Sequence, residues 1–95
     1  MKILAISKES ENADWSNETD TLKEEAHRVY DLYLDGCLRE IYFTEEQDAV
    51  LILECESTAK AIELLDTLPL VKRGLISFRV MQLMPYTGYG RILEQ

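Results

Sequence analysis

Four side chains near the middle of the sequence could carry out acid-base chemistry on a small molecule. Glu40 and Glu54 are carboxylates in predicted strands, and burial would raise their pKa towards the neutral range that a general base needs. Arg39 could bind a substrate carboxylate, and Tyr42 could donate a hydrogen bond to a developing oxyanion. Neighbouring residues of a strand point to opposite faces, so Arg39 and Glu40 cannot both enter one pocket. We predict these four as the catalytic set, with ordinary ion pairs on the sheet as the alternative.

A second group of residues could bind a ligand. His27 is the only histidine, and its ordinary pKa lies near neutrality, although an exposed position at the edge of a helix is the simpler explanation. Trp15 stands alone in a polar stretch, where it either anchors the loop on the core or closes over a pocket. Aromatic residues at helix and strand spacing more often fill a core than line a pocket. The predicted ligand-binding residues are Trp15, His27, Tyr30, Tyr33 and Phe78.

The sequence contains few residues that could hold a metal ion. It has two cysteines, Cys37 and Cys55, and one histidine, which are too few for a Cys/His zinc site or a disulfide framework. A redox metal centre likewise needs three or more well-spaced ligands. We therefore expect no metal and no cofactor, and two reduced thiols.

The first half of the sequence predicts a strand, a long polar loop and a helix. Lys2–Ser7 is an apolar strand, and residues 8–20 have the composition of a loop. Thr21 and Glu24 match the pattern that caps a helix N-terminus, and Gly36 is typical of the left-handed residue that ends one. The predicted helix covers residues 22–35, and its apolar stripe consists of Leu22, Ala26, Val29, Tyr30 and Tyr33.

Two further strands, residues 37–43 and 49–55, are joined by a polar turn and predict a hairpin. A turn centred on Glu46 would place Glu40 opposite Ile52. The same register would place Cys37 opposite Cys55, and a shift of one residue would change both pairs.

The second half predicts another helix, a strand and a tail. Ser57 is a suitable cap, and Pro69 prevents the helix from continuing. The apolar stripe of this helix consists of Ala61, Ile62, Leu65 and Leu68. Leu75–Leu83 is the last strand, and the tail at residues 85–95 is too apolar for a fully solvated segment.

The order β-α-β-β-α-β predicts one ferredoxin-like α+β domain over residues 1–95, with two helices on one face of a four-stranded antiparallel sheet. The third strand is apolar on both sides, because Leu51 and Leu53 alternate with Val50 and Ile52. A second copy of the chain is the simplest cover for the other face. We therefore predict a homodimer or a higher homo-oligomer.

Several segments resemble the muconolactone isomerase-like family, a family of dimeric α+β barrels, and especially its small uncharacterised members. The segments are residues 38–43, 50–54, 63–70, 74–78 and 83–86. The resemblance implies a dimer and an isomerase that moves a double bond by proton transfer in a small lactone or carbonyl compound. The matched Leu68-Pro69-Leu70 is structural, and the acid-base residues of the isomerase have no one-to-one counterparts here.

The charge of the chain argues against some partners. The formal net charge is −8, and residues 1–48 contain 13 acidic against 5 basic residues. Such a field repels nucleic acid and anionic membrane surfaces. The sequence has no apolar run of the length that a membrane helix needs, and we expect a cytoplasmic location.

Three functions are consistent with these patterns. The first is an isomerase or related proton-transfer enzyme that acts on a small lactone-like or carbonyl compound. The second is a non-catalytic module that binds a small apolar ligand. The third is an accessory homodimer without a pocket. A pocket that contains an ionisable group would favour the first, and a filled core would favour the third.

Overall fold

The computed structural model of the protein describes residues 1–93 and confirms the β-α-β-β-α-β order. The elements are β1 (Lys2–Glu9), α1 (Thr19–Leu34), β2 (Leu38–Phe43), β3 (Ala49–Glu54), α2 (Thr58–Leu65), α3 (Pro69–Lys72), β4 (Ile76–Leu83) and a 3-10 turn (Gly88–Arg91). The four strands form one antiparallel sheet in the order β2-β3-β1-β4. This is the predicted ferredoxin-like α+β fold.

The core lies between the sheet and the helices. In β1 the odd-numbered residues Ile3, Ala5 and Ser7 are buried, because successive side chains of a strand alternate between its two faces. Leu51 and Leu53 of β3 occupy the same face and are equally buried. The helices contribute Leu32, Ala61 and Leu65 to this core.

Helix α1 differs from the prediction in where it begins. It starts at Thr19, and Thr21 does not cap it: the Thr21 hydroxyl donates to Oε1 of Glu18 over 2.7 Å. Glu18 holds the N-cap position without a side-chain cap bond. The predicted capping box is therefore wrong, because the Thr21 hydroxyl instead orients the Glu18 carboxylate. Gly36, at φ 82°, adopts the left-handed conformation expected after the helix.

The predicted apolar stripe of α1 is also partly wrong. Tyr30 and Tyr33 are 57% and 59% exposed, and Leu32 is the buried residue of the helix. The side of α1 that faces the sheet includes Leu22, Val29 and Leu32, at intervals of seven and three residues. The tyrosines lie one position away from this stripe and point outward.

The β2–β3 hairpin confirms one predicted pair and not the other. Glu40 lies opposite Ile52 as expected, but an irregularity at Arg39 shifts the register, so that Leu38 lies opposite Leu53. A β-bulge of this kind adds one residue to one strand. The predicted pairing of Cys37 with Cys55 is therefore wrong. Both cysteines are free thiols.

The second helical region follows the predicted signals. The Ser57 hydroxyl accepts a hydrogen bond from the Lys60 amide over 3.0 Å and caps α2. Pro69 occupies the first turn of α3, where its missing N–H costs nothing. Strand β4 begins one residue later than predicted, at Ile76.

The face of the sheet that points away from the helices carries the even-numbered residues of β1 and β3. Leu4, Ile6, Val50 and Ile52 are half-buried there, and we call this surface the open sheet face. Beyond β4 the tail has exposed apolar side chains, and Tyr86 packs edge-on against Tyr89 at a ring distance of 4.9 Å. Residues 94–95 of the predicted tail lie outside the described residues. Within residues 1–93 no helix has the length and apolar character needed to cross a membrane.

Candidate functional site

A cavity of about 500 Å³ lies between the first half of α1 and the helix-facing side of the sheet. All four strands, α1, α3 and the loop before α1 contribute to its wall, and most of the lining is apolar. We call it the α1 cavity. It is lined by Ser7, Glu9, Trp15, Leu22, Glu25, Ala26, Val29, Ile41, Phe43, Glu46, Gln47, Asp48, Ala49, Leu51, Leu68, Leu70, Ile76 and Phe78.

Glu25 is the ionisable group of α1 that faces this cavity. Its Oε1 accepts a hydrogen bond from the backbone N–H of Leu70 over 2.9 Å, which fixes the carboxyl against the start of α3. Burial raises the pKa of Glu25, and the hydrogen bond from Leu70 partly opposes that rise. A carboxyl of this kind can take up and return a proton more readily at neutral pH than a solvated one.

Trp15 closes one side of the cavity. Its indole Nε1–H donates a hydrogen bond to the carboxylate of Glu9, which is the last residue of β1. Ser10 holds the same loop in place, because its hydroxyl donates to the Gly74 carbonyl over 2.6 Å and its amide to the Leu75 carbonyl over 2.9 Å. The long polar loop is therefore attached to the body of the protein both at the cavity and at the turn before β4.

Ser7 and the hairpin turn complete the polar part of the wall. The Ser7 side chain is buried, and its Oγ accepts a hydrogen bond from the Ala49 amide over 2.7 Å. Its hydroxyl proton can therefore be directed towards a different acceptor. The turn contributes Glu46, Gln47 and Asp48, and Gln47 has the left-handed φ of 68°.

Three side chains of α1 or its cap bind the segment that carries α3. Arg73 Nη2 donates to Glu18 Oε2 over 2.6 Å, and this bond together with that from Thr21 lowers the pKa of Glu18. Arg28 Nε donates to the Thr67 hydroxyl over 2.8 Å. With the bond from Leu70 to Glu25, these contacts fix the position of α1 above the cavity.

The four residues predicted to be catalytic lie away from the α1 cavity. The Tyr42 hydroxyl donates to Glu40 Oε1 over 2.8 Å, and this bond raises the pKa of Tyr42. Both side chains are exposed and share the open sheet face with Ile52. The structure thus brings Tyr42 and Glu40 together, but outside the cavity.

Glu54 and Arg39 are engaged in other contacts. Glu54 Oε1 accepts a hydrogen bond from the N-terminal ammonium of Met1 over 3.0 Å, and this contact lowers its pKa. Burial acts in the opposite direction but is outweighed by this contact, so the expected net rise in the pKa of Glu54 is wrong. Arg39 Nε donates to the Gly36 carbonyl over 2.6 Å. A catalytic role for any of the four stays a prediction.

The predicted ligand-binding residues lie in three different places. Trp15 and Phe78 line the α1 cavity as part of its aromatic wall. Tyr30 and Tyr33 stack on each other with ring centroids 6.3 Å apart, and they line a separate groove between α1 and β2 that Arg39 and Glu40 also line. His27 is exposed and is not among the residues that line the α1 cavity.

Sequence patterns alone do not identify Glu25, Glu9 and Ser7 as cavity residues. One signal was present for Glu25: it lies three residues after Leu22 and four before Val29, so it interrupts the apolar stripe that faces the sheet. The positions of Glu9 and Ser7 follow from the alternation of β1, once the buried side of that strand is known. Among residues 1–93, no three His, Cys, Asp or Glu side chains are arranged to hold a metal ion.

Comparisons with known proteins support the fold and do not identify the family. No model of a protein family matches the sequence, and no curated protein matches it. Among solved structures, the chain is similar to 5-chloro-2-hydroxyhydroquinone dehydrochlorinase from Burkholderia phenoliruptrix AC1100, in its complex with 2,5-dihydroxybenzoquinone. The TM-score is 0.69 and the sequence identity 16%, over 93% of this chain and 98% of that chain. The similarity supports the ferredoxin-like α+β fold.

Proposed function

We propose that this protein is a small-molecule enzyme that isomerises a cyclic carbonyl or lactone compound by proton transfer in the α1 cavity. The observation that carries the proposal is Glu25, a half-buried carboxyl with a raised pKa that lies among apolar side chains of a mostly apolar wall. Groups with perturbed pKa values in a cavity are characteristic of active sites. The solved structure described above is that of an enzyme in complex with a small cyclic compound, which is consistent with this proposal.

In the proposed reaction, Glu25 acts first as a base and then as an acid. Its Oε1 is held by the Leu70 amide, and Oε2 takes a proton from the carbon next to the substrate carbonyl. The electron pair of the broken C–H bond forms a C=C bond, and the carbonyl oxygen becomes an enolate. Where the substrate carries a β,γ double bond, this enolate is a dienolate, and Glu25 returns the proton to its γ carbon. The double bond then lies between the α and β carbons, the enolate oxygen becomes the carbonyl oxygen again, and Glu25 is again a carboxylate.

Two further features of the cavity support this role. The hydroxyl of Ser7 donates to the developing enolate oxygen, since its own oxygen is already fixed by the Ala49 amide. Trp15 and Phe78 offer aromatic surface against which a flat ring packs.

The experiment is a screen of lactones, quinones and small keto acids by thermal shift, followed by turnover assays on the compounds that bind. Glu25→Gln should reduce turnover by about 100-fold or more, the usual contribution of a general base. Glu24→Gln is the matched control, because Glu24 is the exposed neighbour on the same helix and lies outside the cavity lining. Turnover that survives in Glu25→Gln would exclude Glu25 as the base. Ligand binding without turnover would favour the non-catalytic binding module.

The residues predicted from the sequence form a second proposed location for the same reaction. Its support is the hydrogen bond between Tyr42 and Glu40 and the position of Glu54 on the same open sheet face. Tyr42→Phe and Glu54→Gln would reduce turnover if this location is correct, whereas Glu25→Gln would not. Comparison of the three variants decides between the two sites.

A homodimer is also part of the proposal. Leu4, Ile6, Val50 and Ile52 are half-buried on the open sheet face, and a second copy would complete their burial. Light scattering should give twice the chain mass of 11.0 kDa or a larger multiple. A monomer would contradict this part of the proposal and leave the cavity chemistry unaffected. The cytoplasm stays the location expected from the sequence, and an accessory homodimer stays the alternative if no ligand is found.

A further inference from the structure

The polar groups of the α1 cavity restrict the kind of compound that can bind there. We propose that this cavity selects a ring compound that carries hydroxyl or amino hydrogen-bond donors and no carboxylate. This inference rests on the proposed function, because it concerns the ligand of the same cavity. It follows from the charges on the cavity wall and from the hydrogen bonds that the wall already makes.

The charged residues of the wall are all acidic. Among the described residues that line the cavity, the ionisable side chains are those of Glu9, Glu25, Glu46 and Asp48, and none is a lysine, arginine or histidine. Two cations of the surrounding elements are already engaged, since Arg28 binds Thr67 and Arg73 binds Glu18. A carboxylate in the cavity would therefore meet like charges, and no cation in the wall would offset the repulsion.

The hydrogen bonds of the wall point to the same conclusion. The indole N–H of Trp15 is taken up by Glu9, and the backbone N–H of Leu70 is taken up by Glu25. Two side-chain donors remain in the lining, the hydroxyl of Ser7 and the amide of Gln47. Each of the four carboxylates retains acceptor capacity, so the wall offers more acceptors than donors, and a matching ligand has to supply O–H or N–H groups.

In this respect the α1 cavity differs from the catalytic site predicted from the sequence. Arg39 was predicted to bind a substrate carboxylate, but its guanidinium lies outside the α1 cavity and donates to the Gly36 carbonyl. An anionic substrate would need such a cation beside it. A substrate of the α1 cavity is instead recognised through its ring and through its donors.

The experiment compares three probes of similar shape by isothermal titration calorimetry with the full chain at pH 7. The probes are 3-hydroxybenzyl alcohol, which is uncharged and has two donors; 3-hydroxybenzoate, which is an anion; and 1-methoxy-3-(methoxymethyl)benzene, which has no donor. We expect the alcohol to bind about tenfold or more tightly than the benzoate, because the benzoate carboxylate meets acidic side chains, of which Glu25 and Asp48 are half-buried and only partly screened by solvent. We expect 1-methoxy-3-(methoxymethyl)benzene to bind several-fold more weakly than the alcohol. The difference should correspond to the one or two hydrogen bonds that the alcohol can donate and this ether cannot.

The variants Glu9→Gln and Glu25→Gln test whether the wall carboxylates cause the preference. Each keeps the shape of the side chain and an acceptor oxygen but removes one negative charge, so the preference for the alcohol over the benzoate should shrink several-fold. Glu24→Gln, outside the cavity, should leave it unchanged. Equal or tighter binding of the benzoate, or no binding by any probe, would overturn the inference. The proposed reaction is tested separately, by turnover in Glu25→Gln.

Discussion

The raised pKa of Glu25 predicts that Glu25→Gln makes the folded state more stable at neutral pH. Burial favours the protonated carboxyl, so the folded protein binds this proton more tightly than the unfolded chain does. Glu25 therefore favours folding below the unfolded pKa of 4.5, and that contribution is lost as the pH rises through the raised folded pKa. At pH 7 the folded state holds a partly desolvated carboxylate, which glutamine replaces with an uncharged side chain.

Two features of the site determine how much the free energy of unfolding increases in Glu25→Gln at pH 7. Glutamine keeps an acceptor oxygen for the Leu70 amide, so the hydrogen bond, worth about 1 kcal/mol, is retained. Solvent screens the half-buried carboxylate of Glu25, so the relieved penalty is small, and we expect about 0.5 kcal/mol. For a chain of 95 residues, this raises the melting temperature by about 2–4 °C.

Urea denaturation of the two proteins at pH 7 and at pH 4 measures the effect. The variant should be the more stable protein at pH 7, and the difference should disappear or reverse at pH 4, where Glu25 becomes protonated. Glu24→Gln should show no comparable change. A variant that is less stable than the parent at pH 7 by more than about 1 kcal/mol would refute the reasoning, because it would mean that the carboxylate makes a favourable contact that glutamine cannot make.

Three further predictions concern the core, the ion pair of α1 and the aromatic wall. Leu53→Ala should lower the free energy of unfolding by about 2–5 kcal/mol, since this side chain is fully buried. Leu34→Ala, at an exposed position, should change it by less than about 1 kcal/mol. Urea denaturation measures both changes. The guanidinium of Arg73 lowers the pKa of Glu18, so Glu18→Gln should destabilise the protein at pH 7. In the same assay, the difference in the free energy of unfolding between parent and variant should become smaller as the pH falls below 4.5. Trp15→Phe keeps an aromatic ring but removes the indole hydrogen bond, and calorimetry should show several-fold weaker binding of any cavity ligand.

Local sequence signals predicted the fold well, because its elements depend on short-range patterns. Alternation in β1 and β3, the cap at Ser57 and the break at Pro69 all correspond to features of the structure. The β-bulge at Arg39 was not predictable, because an extra residue in one strand leaves the apolar pattern of the hairpin almost unchanged. That single residue is the reason why Cys37 does not face Cys55.

The site was harder to predict than the fold, because it depends on which face of each element meets the others. Glu40 and Glu54 were chosen as carboxylates in strands, but their positions in the alternation place them on the open sheet face. Glu25 was passed over as one of many acids in a helix. Its importance depends on Leu70, which lies 45 residues further along the chain and whose approach no local pattern reveals.

Different interactions hold the two halves of α1 against the sheet, and the cavity lies beneath the first half. Leu32, in the second half of the helix, is 1% exposed and belongs to the core, whereas Leu22, in the first half, is 47% exposed although it borders the cavity. The first half therefore gains little from apolar burial, which normally stabilises a helix on a sheet. Hydrogen bonds from the segment that carries α3 to Glu18 and Glu25 hold it instead. Because hydrogen bonds hold the first half of α1, this part of the helix can stay in place above a cavity that side chains do not fill. A binding site needs both an unfilled cavity and a wall whose position is fixed.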